Sequence, residues 1–360
     1  MNMNRKAVLA ALLAATLVFG ILAGCAPAQS PQSGPESSLP ASSGEPASPS
    51  ESSSQPETDP LDELVAAENM PRRLIAATLK GPTGIGMVNM LDENYNYYIE
   101  ITPDEVAAEV ISGEVDIACV PVNLAATLYN KTEGGVVMAA VNTLGVLYIV
   151  GKDSMINSFE DLRGKKIYAT GQGSTPEYAL DYLLRKNGLE PGVDIEIEYL
   201  ADHAELAALA ISEDVEFAML PEPYVTQVTS KNSDVIRLID IAYEWDKVTG
   251  GDVMTQGCVI VNREVYEQYP NTVKKFLRLY KASTEEALSD VEGTAELCDK
   301  YTIMTKGIAK KAIPNCNIVY IDGERMKQSA GAFLSVLYEA NPKSVGGKMP
   351  DDDFYAEFAD

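Results

Sequence analysis

Glycine and hydroxyl residues follow several predicted strands of this chain, and their types and spacing could bind a small molecule. The segment GPTGIG begins at Gly81, and the segment GQGSTP begins at Gly171. Glycine lets the main chain approach a ligand closely, and the first turn of a following helix carries N–H groups without intrahelical partners. Such groups suit a carboxylate, a sulfonate or a carbonyl oxygen. The candidate ligand-binding residues are Lys80, Gly81, Thr83, Gly84, Pro121, Asn123, Gly173, Ser174, Thr175, Glu222, Tyr224 and Trp245.

Each turn also has a purely structural interpretation, since glycine and proline build tight strand-to-helix connections. A binding role for at least two of them is favoured because such turns recur at four corresponding places. These are 80–87, 121–124, 171–175 and 221–224. Neither glycine segment is a nucleotide-binding motif, because both lack the orders G-x-x-x-x-G-K-[ST] and G-x-G-x-x-G.

Four candidate side chains have two interpretations each. Glu222 stands between two prolines. It could accept a hydrogen bond from a cationic ligand, or it could brace the wall of the binding site by accepting bonds from the protein itself. The brace is favoured because buried carboxylates are usually satisfied by the protein itself. Tyr224 and Trp245 could stack on a planar ligand or pack in the core. Lys80 is the cationic side chain beside the first glycine turn, and it could bind the ligand or lie in solvent.

Catalysis and metal binding are not expected. The chain has one histidine, His203, and no Ser/His/Asp or Cys/His set. Cys119, Cys258, Cys298 and Cys316 include no pair at C-x-x-C spacing, so neither a metal nor another cofactor is predicted. Export would permit a disulfide, with Cys298 and Cys316 the nearest pair in sequence, but free buried thiols are equally consistent.

The N-terminus has the order of a bacterial lipoprotein signal. Arg5 and Lys6 precede an apolar stretch, and Leu-Ala-Gly comes before Cys25. This predicts a signal peptide over 1–25, whose cysteine would carry a diacylglycerol and an amide-linked acyl chain such as palmitate. An uncleaved helix with an incidental cysteine is the alternative. Residues 26–60 are rich in Ser and Pro and predict a disordered tether.

Strand and helix patterns alternate along the remaining chain. Buried strands predicted at 73–78 and 115–120 each lead into a Gly/Pro turn and a helix, and the same order recurs at 166–170 and 216–220. Alternation of this kind predicts mostly parallel sheets that bind ligands at the carboxyl ends of their strands. The predicted fold is therefore α/β, with two Rossmann-like lobes joined by a two-crossover hinge. Lobe 1 is predicted over 61–145 and 250–360, and lobe 2 over 146–249.

Five segments, taken in order, match the pattern of a known family. They are the turn at 80–87, ISGEVDIACVPVNLAATLYN, SFEDLRGKKI, GQGSTPEYALDYLL and AMLPEPY. The chain resembles the substrate-binding proteins of ABC importers, of the periplasmic class II type. The resemblance is strongest to the group of nitrate-, sulfonate-, taurine- and thiamine-precursor-binding proteins. It implies an extracytoplasmic lipoprotein that captures a small solute between its lobes and delivers it to a permease and its ATPase.

Partners and alternatives follow from charge and from the resemblance. The formal net charge of −25 argues against nucleic acid as a partner. The acylated N-terminus would hold the protein to the outer face of the cell membrane. Few basic residues lie at the turns, so a monoanion or a neutral planar heterocycle is favoured over a dianion such as a phosphate ester. A ligand-presenting sensor module is the main alternative function, and a pyrimidine-precursor enzyme of the same fold is the weaker one.

Overall fold

The computed structural model describes residues 59–91, 96–100 and 102–358, all within one compact unit that spans 56–360. The predicted signal peptide with Cys25, and the predicted tether up to residue 58, lie outside the described residues. Asp59 and Pro60, which the sequence patterns placed at the end of the tether, are the N-cap and the first residue of a helix. No helix among the described residues is long and apolar enough to cross a membrane.

The first part of the chain builds most of one sheet and its helices. Asp59 caps the first helix, which the sequence patterns did not predict. The elements of this first part of the chain are α1 (Pro60–Ala67), β1 (Ile75–Leu79), α2 (Pro82–Met87), β2 (Asn96–Glu100), α3 (Pro103–Ser112), β3 (Ile117–Pro121), α4 (Val122–Lys131) and β4 (Val136–Leu144). The predicted capping box is confirmed in α3, where Thr102 and Glu105 bond reciprocally and Gly113 ends the helix at a φ of 76°.

The middle of the chain forms a second set of elements. They are β5 (Leu147–Gly151), β6 (Lys166–Thr170), α5 (Thr175–Lys186), β7 (Glu196–Leu200), α6 (His203–Ser212), β8 (Phe217–Pro221), α7 (Tyr224–Lys231), β9 (Ile236–Asp240) and α8 (Ile241–Thr249). The chain then returns through β10 (Thr255–Asn262), α9 (Arg263–Gln268), α10 (Pro270–Ser289), α11 (Val291–Lys300), α12 (Lys306–Ala312), β11 (Ile318–Ile321) and α13 (Gly323–Ala340).

The strands divide between two sheets, which define the two lobes of the fold. Lobe 1 has the strand order β11-β4-β10-β3-β1-β2, and lobe 2 has the order β7-β6-β8-β5-β9. Antiparallel pairing of β10 with both β3 and β4 leaves four of six strands in lobe 1 pointing one way. In lobe 2 only β5 is reversed, so four of five strands share a direction. The predicted α/β fold with mostly parallel strands is confirmed.

Two connections link the lobes and touch each other. The first is the short link between β4 and β5, and the second contains α8 and the residues before β10. A Cβ on Gly145 of the first link would lie 2.5 Å from the Cβ of Ala242 in the second. The side chain of Gln256 accepts a hydrogen bond from Val146 N at 2.9 Å, and Asn317 Nδ2 donates to the Gly145 carbonyl at 2.5 Å. The glycine is therefore required by the close approach of the two connections.

Helix α1 is fastened to α10 by acidic residues. Asp59 pairs with Arg278 at 2.5 Å, and Asp62 pairs with Lys275 at 2.7 Å. The carboxylate of Glu68 accepts hydrogen bonds from two backbone N–H groups in the first turn of α10. These N–H groups have no partner within the helix, so the carboxylate also stabilises the positive end of the helix dipole.

The four cysteines among the described residues are free and buried, so Cys298 and Cys316 do not form the disulfide that export would permit. Burial raises the pKa of the Cys119 thiol to about 11. The pKa of Cys258 also lies well above its ordinary value, because burial disfavours the charged thiolate. These thiols are therefore protonated at neutral pH and pack as small apolar groups.

Candidate functional site

The four predicted turns lie at the carboxyl ends of β1, β3, β6 and β8, and each opens a helix. In these helices, α2, α4, α5 and α7, no side chain at the N-cap position bonds to the first turn. Six helices that begin elsewhere have side-chain caps, whereas α10, α12 and α13 have none. The caps are Asp59 in α1, Thr102 in α3, Asp202 in α6, Asp240 in α8, Asn262 in α9 and Asp290 in α11. Helices at the strand ends thus present first-turn N–H groups without the usual N-cap side chain.

Two predicted residues from opposite lobes meet directly. Thr175, at the start of α5 in lobe 2, donates its hydroxyl hydrogen to Asn123 Oδ1, at the start of α4 in lobe 1, over 2.7 Å. Both residues are buried. Asn123 Nδ2 donates in turn to the Ser344 carbonyl at 3.3 Å. The structure is therefore a closed form, in which the N-termini of two helices from different lobes face one shared location.

The turn of lobe 1 lies deeper than its sequence indicated. Gly84 is buried within α2, and a Cβ there would lie 2.6 Å from the Leu79 carbonyl oxygen. This glycine therefore lies inside the lobe and not in a turn on its surface. Thr83 donates to the same carbonyl, and Gly81 adopts a φ of 123° that favours glycine. Lys80 is exposed, and its ammonium has no partner among the described residues.

A buried polar network supports this turn from behind. Asn142 Nδ2 donates to the Tyr280 hydroxyl at 3.0 Å, and that hydroxyl donates to the Thr83 carbonyl at 3.5 Å. Cys119 Sγ lies 3.7 Å from the same oxygen. Burial raises the pKa of Tyr280 well above its ordinary value, so the phenol keeps its proton. No local sequence signal indicated this network, because its members lie far apart in the chain.

The turn of lobe 2 is exposed and held by its own hydrogen bonds. Gly171 and Gly173 have φ values of 80° and 76°, and Gly173 has open space where a side chain would be. Ser174 donates to the Gly171 carbonyl at 2.7 Å, and the Glu177 carboxylate accepts from Gly173 N at 2.5 Å. Gly173 is therefore needed for its backbone conformation and not for close packing, whereas a Cβ on Gly171 would also lie 2.7 Å from Cγ of Pro176.

Histidine His203 lies behind the turn of lobe 2. Its Nδ1 is 2.5 Å from the hydroxyl of Thr170, the last residue of β6. Its ring lies 5.3 Å from the ring of Tyr224, which is half-buried at the start of α7. Burial lowers the pKa of His203, and the nearby carboxylate of Asp202 opposes that effect only in part. The neutral imidazole is therefore favoured.

Glu222 makes the contacts of a brace. It is 1 % exposed, and its carboxylate accepts from Thr226 N at 3.0 Å and pairs with Arg237 at 2.5 Å. The guanidinium of Arg237 also lies over the ring of Tyr148, 5.4 Å from its centroid. Both carboxylate oxygens of Glu222 thus have partners within lobe 2, and the contacts fix the start of α7 against β9.

Trp245 packs in the core instead of lining an open wall. It is fully buried, with the rings of Tyr182 and Phe333 each 5.0 Å away. Tyr182 belongs to α5 and Phe333 to α13, so the indole joins helices of both lobes beside the second crossover. This position agrees with the packing alternative, in which Trp245 does not contact the ligand.

Cavities do not mark the predicted turns in this closed form. A cavity of about 530 Å³ lies between α5 and the end of α13, lined in part by Tyr178, Asp181 and Asn341. Another of about 390 Å³ lies on lobe 2, with Lys152 and Glu213 in its lining. Neither lining contains a candidate ligand-binding residue. Within the described ranges, no group of three or more His, Cys, Asp or Glu side chains could hold a metal ion.

Two α/β lobes, two crossovers and a cleft bounded by helix N-termini define the class of two-lobed binding proteins. The family model described as "ABC transporter, phosphonate, periplasmic substrate-binding protein" matches residues 87–296, and the chain belongs to this family. The protein is thus the substrate-binding component of an ABC transporter, from a periplasmic family, and the predicted function is confirmed at this level. No curated protein matches the chain.

Solved structures of binding proteins share the fold. An ABC transporter protein from Parabacteroides distasonis is 25% identical with a TM-score of 0.67, covering 79% of this chain and 99% of that chain. The aliphatic sulphonate binding protein SsuA from Escherichia coli is 18% identical, with a TM-score of 0.63 and coverage of 77% and 91%. The nitrate-binding protein NrtA from Synechocystis is 13% identical, with a TM-score of 0.54 and coverage of 76% and 84%.

Proposed function

We propose that this protein is a membrane-anchored binding lipoprotein that captures a small oxyanion between the N-termini of α4 and α5. It would deliver that solute to the permease and ATPase of its importer. The observation that carries the proposal is the hydrogen bond from Thr175 to Asn123, which brings two uncapped helix starts from opposite lobes to one location.

Helix N-termini favour a particular charge. Each supplies N–H donors and a partial positive charge of roughly half a unit. Two such ends suit a single negative charge better than two. A sulfonate, a nitrate or a singly protonated phosphonate has that charge. The family description names phosphonates, and two structural neighbours are named for sulphonate and nitrate, which supports an oxyanion over the neutral heterocycle.

Calorimetric titration of the full-length chain tests the ligand class. The probes are methylphosphonate, ethanesulfonate and nitrate, with acetate and thiamine for comparison. We expect at least one of the first three to bind with a micromolar dissociation constant or tighter, because the site offers preformed donors on both lobes. Binding of thiamine alone would contradict the oxyanion proposal. Chemical change of a bound probe, followed by NMR of the recovered ligand, would contradict the absence of catalysis.

The membrane anchor is a separate part of the proposal. Cys25→Ser removes the thiol that would be acylated, so the protein should leave the membrane fraction and keep its uncleaved N-terminus. Fractionation and intact mass measurement report both effects. Normal processing and membrane attachment of the serine variant would overturn the lipoprotein assignment while leaving the ligand site unaffected.

A further inference from the structure

The segment that follows α13 lies along α4. Asn130 Nδ2, near the end of α4, donates to the Val345 carbonyl at 2.7 Å and to the Lys348 carbonyl at 2.8 Å. Asn123, near its start, donates to the Ser344 carbonyl. The C-terminal segment is therefore fixed against the full length of a helix whose first turn faces the cleft. It lies outside the residues that the family model matches.

The side chain of Ser344 is buried, yet its hydroxyl is not hydrogen-bonded to another described residue. The residue is 2 % exposed, and its hydroxyl has no hydrogen-bond partner in the described part of the chain. Ser283 is also 2 % exposed, but its hydroxyl donates to the Gly86 carbonyl at 2.7 Å. Buried hydroxyl groups are nearly always bonded, because an unpaired one has lost its hydrogen bonds to water without replacement. The hydroxyls of Thr78, Tyr199 and Thr255 are also buried without a partner in the described part of the chain, but Ser344 is the one of these four residues that bonds to Asn123. Its hydroxyl therefore suits a partner that is not part of the chain.

The position of Ser344 places that partner between the lobes. Its carbonyl is bonded to Asn123, and Asn123 is bonded to Thr175 of lobe 2. Asn341, three residues earlier, lines the cavity between α13 and α5. The 3-10 turn that contains Ser344 is held on both sides, since Asn341 caps it and Val345 is fully buried. The hydroxyl thus lies on a rigid support beside the start of α4.

We propose that Ser344 is a ligand-binding residue whose hydroxyl donates to the captured oxyanion. The inference rests on the proposed function and extends it. A tetrahedral anion with three terminal oxygens would find one donor group each at α4, α5 and Ser344. A carboxylate has only two such oxygens and leaves one of the three donors unpaired, which disfavours it. Ser344 therefore selects phosphonates and sulfonates over carboxylates.

The experiment compares Ser344→Ala with Thr294→Val in the full-length chain. Thr294, in α11, is also buried. Its hydroxyl, unlike that of Ser344, is hydrogen-bonded to the side chain of Asn89, which lies just after α2. Melting curves are recorded without ligand. Calorimetric titrations use methylphosphonate and ethanesulfonate, with acetate as the two-oxygen probe.

For Ser344→Ala we expect about tenfold weaker binding of the three-oxygen probe that the wild type binds, equivalent to about 1.4 kcal/mol. Its melting temperature without ligand should stay the same or rise, because no internal hydrogen bond is lost. Thr294→Val should instead melt about 2 °C lower and bind normally.

Two results would overturn the inference. One is a Ser344→Ala variant that melts lower, as Thr294→Val is expected to, with unchanged binding, since the hydroxyl would then be structural. The other is equal loss of affinity for acetate and for the three-oxygen probe. Absence of binding by the wild type would instead refute the proposed function, and the melting curves would still expose a structural role of the hydroxyl.

Discussion

Gly84 and Gly173 occupy corresponding turns in the two lobes and look alike in the sequence, yet the structure needs them for different reasons. Gly84 is buried in α2 against the Leu79 carbonyl, and its backbone conformation is open to other residues. Gly173 is exposed with a φ of 76° and has no atom within 4 Å of where a Cβ would lie. One glycine is required by space and the other by backbone conformation.

The difference extends to how each lobe holds its turn. Lobe 1 supports its turn from the interior, through Tyr280 and Asn142. Lobe 2 holds its turn through short-range bonds of Ser174 and Glu177. We therefore expect lobe 1 to tolerate little change at its turn, while lobe 2 can change and still fold. The four predictions below test this contrast, from the largest expected effect to the smallest.

Gly84→Ala should cause the largest loss. Its Cβ would lie 2.6 Å from a backbone oxygen, which cannot move aside as a flexible side chain could. We expect the free energy of unfolding to fall by about 3 kcal/mol, at the upper end of overpacking effects, as measured by urea denaturation. Gly307→Ala in α12 is the control, because a Cβ there meets no atom within 4 Å. Equal stability of the two variants would remove the contrast between the glycines.

Thr175→Val tests the contact that joins the two turns. It leaves Asn123 Oδ1 buried without its donor, at a cost of about 1 to 3 kcal/mol in the closed form only. Ligand affinity should therefore fall about tenfold or more in calorimetric titration. Thr175→Ser keeps the hydroxyl and should bind nearly as tightly as the wild type. Unchanged affinity in the valine variant would mean that the interlobe bond does not contribute to closure.

Gly173→Ala should have a moderate effect on stability. The alanine has room but must adopt a left-handed conformation, at a cost of about 1 kcal/mol. Gly164→Ala is a matched control, since Gly164 also has a φ of 76° and open space. Urea denaturation should show the same loss in both variants. Only Gly173→Ala should also weaken ligand binding, and equal affinities would place the ligand away from this turn.

The pH dependence of His203 should give the smallest effect and should concern lobe 2 alone. Its pKa is lowered in the folded protein, so the unfolded chain binds a proton first as the pH falls below about 6.5. Stability should therefore decrease between pH 7 and pH 5. His203→Gln should flatten this part of the melting-temperature profile, and no other histidine in the sequence complicates the result. An identical profile in both proteins would contradict the lowered pKa.

Local patterns predicted much of the fold. The capping box at Thr102, the strand at Lys166–Thr170 and the long helix beginning at Pro270 were found where caps, apolar runs and proline positions placed them. These signals depend on residues that are close together in the chain, so they can be identified from the sequence alone. Helix α1 was missed although it has local start signals, since Asp59 caps it and Pro60 is its first residue. Its ion pairs with α10 join residues that are distant in sequence, so no local pattern indicated them.

The candidate site was predicted less completely, because its geometry depends on distant contacts. The sequence placed Asn123 and Thr175 at strand ends but gave no sign that they would bond to each other. It did not indicate Ser344 at all, since a serine in a polar C-terminal segment resembles any solvated residue. Burial of Gly84 was also missed, because a glycine in a surface turn and a glycine in a packed helix look the same in one sequence.

The ion pairs between α1 and α10 also determine which lobe would receive a force applied to the N-terminal segment. Chain that precedes residue 59 is joined through Asp59, Asp62 and Glu68 to a helix of 20 residues that belongs wholly to lobe 1. A force applied from the N-terminal side would therefore act on α10 and would not be transmitted through the two connections between the lobes. If the proposed lipid anchor holds the N-terminus, lobe 1 would be the lobe attached to the membrane, and lobe 2 would move relative to it when the cleft opens and closes.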